Sequence, residues 1–88
     1  MIDDIRRGRI RISVFACAYE MYDTSLLSDT EYDKLALSID TTTRTDNTLM
    51  DDFFRDEYRP YTGSWVYNHP ELGKLRLLTL EVLRCQVK

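Results

Sequence analysis

Few side chains in this 88-residue sequence can do covalent or acid–base chemistry. The one histidine, His69, precedes Pro70 at a helix start, and no nucleophile stands at a spacing that would pair with it. It reads as a capping or surface group. Cys17 and Cys85 share no CxxC or Cys/His spacing, so they read as buried thiols and point to a reducing, cytoplasmic setting. The three glycines are isolated and build no phosphate-cradling loop. Asp29, Glu31 and Asp33 resemble a ligand set only in one dimension, because a helix sends 29 and 33 to one side and 31 to another. Neither a metal site nor an enzyme is expected. Two groups remain that suit binding. Asp51, Asp52, Asp56 and Glu57 fall on one side of a short helical segment, an acidic face that could dock on a partner protein. Tyr58, Tyr61, Trp65 and Tyr67 cluster just beyond it, either as interface anchors or as the filling of a core beneath a loop.

The elements that would position these groups are helices. Ile5, Gly8, Ile12, Phe15, Tyr19 and Tyr22 recur at spacings of three and four, which predicts a helix over about 3–23 with these residues inward. Arg6, Arg7, Arg9 and Arg11 then occupy its solvated side. Ser28 followed by Glu31 is a capping box. The Ser28 hydroxyl can accept from the Glu31 N–H, and the Glu31 carboxylate from the Ser28 N–H. Leu27 and Tyr32 are placed as a hydrophobic staple, and Asp29 adds negative charge where the helix dipole is positive. A second helix is therefore expected over about 29–40, with Tyr32, Leu35, Ala36 and Ile39 inward. The short link between the two predicts an antiparallel hairpin.

Residues 41–47 contain no apolar side chain and read as an exposed loop. Asp46 or Asn47 caps a third helix over about 48–58, with Leu49, Met50, Phe53, Phe54 and Tyr58 inward. Arg59, Pro60 and Gly63 turn the chain, and Pro70 opens a fourth helix. Its stripe is Leu72, Leu75, Leu78, Val82 and Cys85. Leu77, Leu80 and Leu83 lie off that stripe, which predicts either a central helix buried on more than one side or a homodimer. The expectation is one all-α, four-helix domain over 1–88, with a hairpin over 1–40 and a loop plus two helices over 41–88.

A chain that is 43% hydrophobic is not a compositional candidate for disorder. No apolar run approaches the ~20 residues that cross a bilayer. Asp3, Asp4 and the early arginines interrupt any signal-peptide core. Charge is segregated. Residues 1–19 carry two acids and four arginines, residues 20–57 eleven acids and three bases, and residues 58–88 two acids and five bases. An acidic middle between basic ends argues against direct nucleic-acid binding and fits either docking on a charged protein or basic ends that pair with the middle.

Ser28-Asp29-Thr30-Glu31-Tyr32-Asp33-Lys34-Leu35 resembles the (S/P)-D-x-E-Y-D-x-L signature of the Ia domain of NAD-dependent bacterial DNA ligases. Ala18-Tyr19-Glu20-Met21-Tyr22-Asp23 resembles that family's Tyr-rich run on the preceding helix. The resemblance covers about residues 12–39. His69-Pro70-Glu71-Leu72 repeats the family's His-Pro-Glu-Leu much later than expected, as though residues 40–68 were inserted. The family's Ia domain is a helical hairpin that holds the nicotinamide mononucleotide (NMN) half of NAD. Carried over, the resemblance implies that Tyr19 and Tyr32 offer ring faces to a pyridinium, while Asp29 and Asp33 accept from hydroxyl or amide groups. Glu20 stands where the family has histidine. The nucleophilic Lys-x-Asp-Gly of the family belongs to a separate domain and is absent from this sequence.

The expectation is thus a non-catalytic binding module, with NMN or NAD as the ligand that the resemblance implies. Short relatives of this domain resemble the cargo of phages and mobile elements, which implies a bacterial or phage-infected host. The alternative is a protein-directed inhibitor or adaptor, anti-CRISPR-like, acting on a host nuclease or defence complex. It would work through Asp51, Asp52, Asp56 and Glu57 together with Tyr61, Trp65 and Tyr67.

Overall fold

A computed structural model of the chain describes residues 2–86. The described residues form a small all-α domain of four helices: α1 (Ile2–Tyr22), α2 (Asp29–Ser38), α3 (Thr48–Asp56) and α4 (Leu72–Gln86), with a 3-10 helix (Ser64–Asn68) before α4. No helix is long and apolar enough to cross a membrane among the described residues.

The helix starts follow local chemistry. Both halves of the capping box form: the Glu31 N–H donates to the Ser28 hydroxyl and the Ser28 N–H to the Glu31 carboxylate, each at 3.2 Å. The Ser28 N–H thereby holds the Glu31 carboxyl below its ordinary range. Asn47 caps α3 by accepting from the Met50 N–H at 3.2 Å. At the foot of α4 the His69 ring does the same work, its Nδ1 accepting from the Glu71 N–H at 3.0 Å. After α1 the chain turns through Asp23, whose φ of 51° lies in the left-handed region that aspartate tolerates better than most residues.

α1 is the hub. It packs against α4, against the 3-10 helix and against α2. This corrects the expectation of a central α4. Small side chains decide the matter: Ser13, Ala16, Cys17 and Ala18 are all buried, along with Ile12 and Val14, so neighbours approach α1 from several sides. The inward stripe expected for α1 is rotated as a result. Ile12 lies on it, but Tyr19 is 60% exposed. Contacts with α2 pair the start of one helix with the end of the other. A side chain on Gly8 would meet Ile39 at 3.4 Å, while Phe15 and Tyr19 share a cleft with Asp29 and Tyr32.

α4 is peripheral. Its buried positions are Leu75 and Thr79, the latter with its hydroxyl donating to the Leu75 carbonyl at 2.8 Å. Leu78 and Cys85, placed inward by the leucine spacing, are exposed. Leu77 is 68% exposed. A leucine count says how apolar a helix is, and not which of its sides the fold covers.

α3 joins the domain through its side chains. Phe53 and Phe54 meet edge to face at 5.4 Å, and Phe54, Tyr58 and Trp65 close an aromatic cluster in which Tyr58 and Trp65 lie 4.8 Å apart. The Trp65 indole N–H donates to the Thr62 carbonyl at 2.8 Å. Leu49, expected inward, is exposed.

The deepest correction concerns charge. Arg9, assigned by its neighbours to a solvated basic side, is 4% exposed, and Asp51, assigned to an acidic docking face, is 1% exposed. They face each other across the core at 2.7 Å. Each nitrogen of the guanidinium has a partner, since Nε donates to the Asp40 carbonyl and NH2 to the Thr43 carbonyl, both at 3.0 Å. Asp51 also accepts from the Thr45 N–H and hydroxyl, both at 2.8 Å. Burial by itself would raise the Asp51 carboxyl; the bonds from Thr45 and Arg9 and the arginine's charge outweigh it, so the carboxyl is held below its ordinary value. The loop 40–47 is consequently ordered by polar contacts. Asp40 accepts from the Thr42 and Thr43 N–H groups and the Thr43 hydroxyl, which lower its carboxyl to about 2.

Removing either partner strands a buried charge, so Arg9→Ala or Asp51→Ala should each lower unfolding free energy by about 3–5 kcal/mol in urea denaturation. The pH dependence has a definite sign. Burial lowers the His69 pKa from 6.5, and Asp51 and Asp40 are lowered from 3.8, so on acidification the unfolded chain binds protons that the folded one resists. Stability should be greatest between pH 6.5 and pH 10, where the buried tyrosines stay protonated, fall on acidification as His69 titrates, and fall again below pH 3.8 as the aspartates do. A series of urea midpoints from pH 8 to pH 2 reads this directly, and Asp51→Asn should flatten the lower stage.

Candidate functional site

Tyr19, Asp29, Tyr32 and Asp33 come together on one cleft of about 310 Å³. Each reaches it from a different local cause. Tyr19 sits near the C-terminal end of α1, one turn beyond Phe15, which lines the same wall. The capping box fixes where α2 begins, and so puts Asp29, Tyr32 and Asp33 in its first turns on the cleft side. The turn Tyr61–Gly63 closes the opening, with Tyr61 88% exposed at the rim. Gly63 sits at a close approach: a Cβ would stand 3.3 Å from Glu20 Cγ and 3.5 Å from Ala16 Cβ. Glu20 therefore lies directly behind the glycine.

Tyr32 is half-buried, and among the described residues its hydroxyl is the one buried side-chain polar atom without a hydrogen-bond partner. Burial pushes its pKa up to about 12 against the opposing pull of the nearby Trp65 indole, with the charges of Glu20 and Asp33 adding to the rise. The ring therefore works as a neutral aromatic wall. No lysine, arginine or histidine lines the cleft. Its chemistry is that of aromatic rings, two lining carboxylates and a third behind Gly63.

A second cleft, of about 350 Å³, is bounded by Arg6, Arg9, Asn47, His69 and Glu71. Its polar groups are already engaged: Arg9 with Asp51, Arg6 with Asp46, Asn47 in capping α3 and His69 Nδ1 with the Glu71 N–H. Its slightly greater size does not make it the better ligand site. Among the described residues no three His, Cys, Asp or Glu side chains gather as a metal site would need.

The set assigned to protein docking does not form one surface. Asp51 is in the core, Asp52 pairs with Arg44 at 2.8 Å, and Asp56 pairs with Arg55 at 2.8 Å. Glu57 accepts from the Asn68 amide at 3.4 Å. Trp65 is 3% exposed and fills the core, so it anchors no partner. Tyr67 is exposed, with its hydroxyl donating to the Glu20 carbonyl at 2.8 Å, and Tyr61 joins the cleft instead. Phe15 and Gly63 were not singled out as site residues. Phe15 carried a signal of sorts, lying one helical turn before Tyr19 on the same side, whereas nothing in the sequence ties Gly63 to Glu20.

The fold and site together define a small all-α domain with an aromatic and acidic cleft at the junction of two helices. No family model, curated protein or solved structure matches the chain.

An orphaned buried hydroxyl stabilises nothing, so Tyr32→Phe should raise unfolding free energy by about 1 kcal/mol, where most aromatic truncations in a core lower it. Thermal unfolding of the two proteins side by side gives the sign.

Proposed function

We propose that this chain is a non-catalytic binding module, and that its ligand is the nicotinamide end of NAD or of NMN, held in the cleft between α1 and the start of α2. One observation carries the reading. Tyr19, Asp29, Tyr32 and Asp33, picked out by their resemblance to the ligase Ia motif, lie in two separate stretches of sequence and line a single cleft. The chemistry fits a pyridinium. Tyrosine faces attract a cation within about 6 Å of the ring centroid, and carboxylates beside them add charge attraction and accept from the carboxamide and ribose hydroxyls. A volume of about 310 Å³ suits a nucleoside-sized group and lies at the lower end of small-molecule pockets. The setting that goes with this reading is a bacterial or phage-infected cytoplasm.

A protein-directed role as an inhibitor or adaptor is the second reading. What favours it is the exposed Leu77, Leu78 and Leu80 on α4, and no longer the acidic segment of α3.

Calorimetric titration with NMN and NAD should give heat at ligand concentrations of about 1 mM or below. Asp33→Ala and Tyr19→Ala, both at exposed positions, should keep the fold and weaken binding by about three- to thirtyfold. Absence of heat with both nucleotides removes the proposal.

A further inference from the structure

We infer that the cleft selects a flat organic cation bearing no phosphate, so that within the nicotinamide series it favours the riboside over the mononucleotide and the oxidised ring over the reduced one. This rests on the cleft being the nicotinamide site, and adds what that site recognises.

The charge distribution around the cleft carries the argument. Asp29 and Asp33 line it, and Glu20 stands behind Gly63, its Oε2 3.4 Å from where a Cβ on that glycine would be. Tyr19, Tyr32 and Tyr61 supply rings around the same space. Aromatic faces with carboxylates behind them form the kind of cage that holds quaternary or aromatic nitrogen cations. A phosphate needs the opposite surroundings, namely a helix N-terminus free of acids or an arginine or lysine. The nearby helix N-terminus, that of α2, carries Asp29 and Glu31 in its first turn, and one of its orphan donors, the Glu31 N–H, is already satisfied by Ser28. Arg11 lies over the Phe15 ring at 5.9 Å and is not among the lining residues. Lys34 follows Asp33 along α2 but does not line the cleft either.

A dianionic phosphate tethered to the bound ribose is therefore held near two or three carboxylates with no cation among the side chains that line the cleft. At an effective dielectric constant typical of a protein surface that repulsion is large enough to weaken binding by on the order of tenfold. The reduced dihydropyridine has the same shape and no charge, so it loses the attraction to both rings and carboxylates and should bind weaker by a similar factor.

The experiment is a calorimetric comparison at fixed ionic strength of nicotinamide riboside, NMN, dihydronicotinamide riboside and N-methylpyridinium. The expected order is riboside first, with NMN and the reduced riboside each about tenfold weaker. Asp33→Asn, a nearly isosteric change at an exposed position, should weaken the riboside and narrow its advantage over NMN. Raising the salt concentration should narrow it too. NMN binding as tightly as the riboside, or the reduced ring binding as tightly as the oxidised one, overturns the charge selection while leaving the nicotinamide reading in place. Binding of N-methylpyridinium without the riboside does the reverse: it supports a cation cage and removes the nicotinamide reading. No binding by any of the four compounds overturns both.

Discussion

Much of this fold depends on one ion pair. Arg9 and Asp51 are among its most buried side chains, and they belong to helices whose sequences lie 42 positions apart. Withdrawing two charges from water is expensive, and their attraction offsets that cost only if the remaining donors and acceptors are satisfied. Here they are. The guanidinium binds two loop carbonyls as well as the carboxylate, and the carboxylate takes two further bonds from Thr45. The pair thereby fixes three things at once: the rotation of α1, the path of the loop 40–47 and the side that α3 turns inward. The Arg9 guanidinium also lies 5.4 Å from the Phe54 ring centroid, which couples the polar centre to the aromatic cluster.

Around that centre the packing divides by residue size. The middle of α1 offers Ser13, Ala16, Cys17 and Ala18, small enough for neighbouring elements to come close. α3 and the 3-10 helix offer Phe53, Phe54, Tyr58 and Trp65, which bridge longer gaps. An 88-residue chain has little interior to spend on large clusters. Concentrating rings in the second half and small side chains in the first gives one continuous core from few residues. The cost is that α4, which is rich in leucine, is left with an uncovered apolar side.

The cleft arises where this packing ends. α1 runs on past its most buried turns to Tyr19 and Glu20, the chain turns through Asp23, and the capping box restarts a helix beside it. The turn Tyr61–Gly63 closes over the gap because Trp65 is anchored in the core and its indole holds the Thr62 carbonyl. Site and core are linked through that tryptophan. A negative cleft with aromatic walls is the product of helix-start acids that serve the dipole and of tyrosines too large to be fully buried at a helix junction.

What the sequence determined by itself is the set of features whose partners lie within one helical turn. The capping box at Ser28 and Glu31, the Asn47 cap, the role of His69 at a helix start, the turn after α1 and the helical character of each segment all follow from contacts between residues two to four positions apart. Such contacts need no knowledge of the rest of the fold. The grouping of Tyr19 with Asp29, Tyr32 and Asp33 was expected from the resemblance of their two stretches to one family motif, and the short link between the helices is what lets them meet. Only the tertiary structure decided which sides are covered. Arg9 looked like its solvated neighbours and Asp51 like part of an acidic face, and nothing local marks either as half of a buried pair. Leu78 looked like core and is exposed, while Trp65 looked as suited to a partner as to the interior. The reason is the same each time. Burial and ion pairing are set by what arrives from distant sequence, and a side chain's own type and spacing carry only half of that contact.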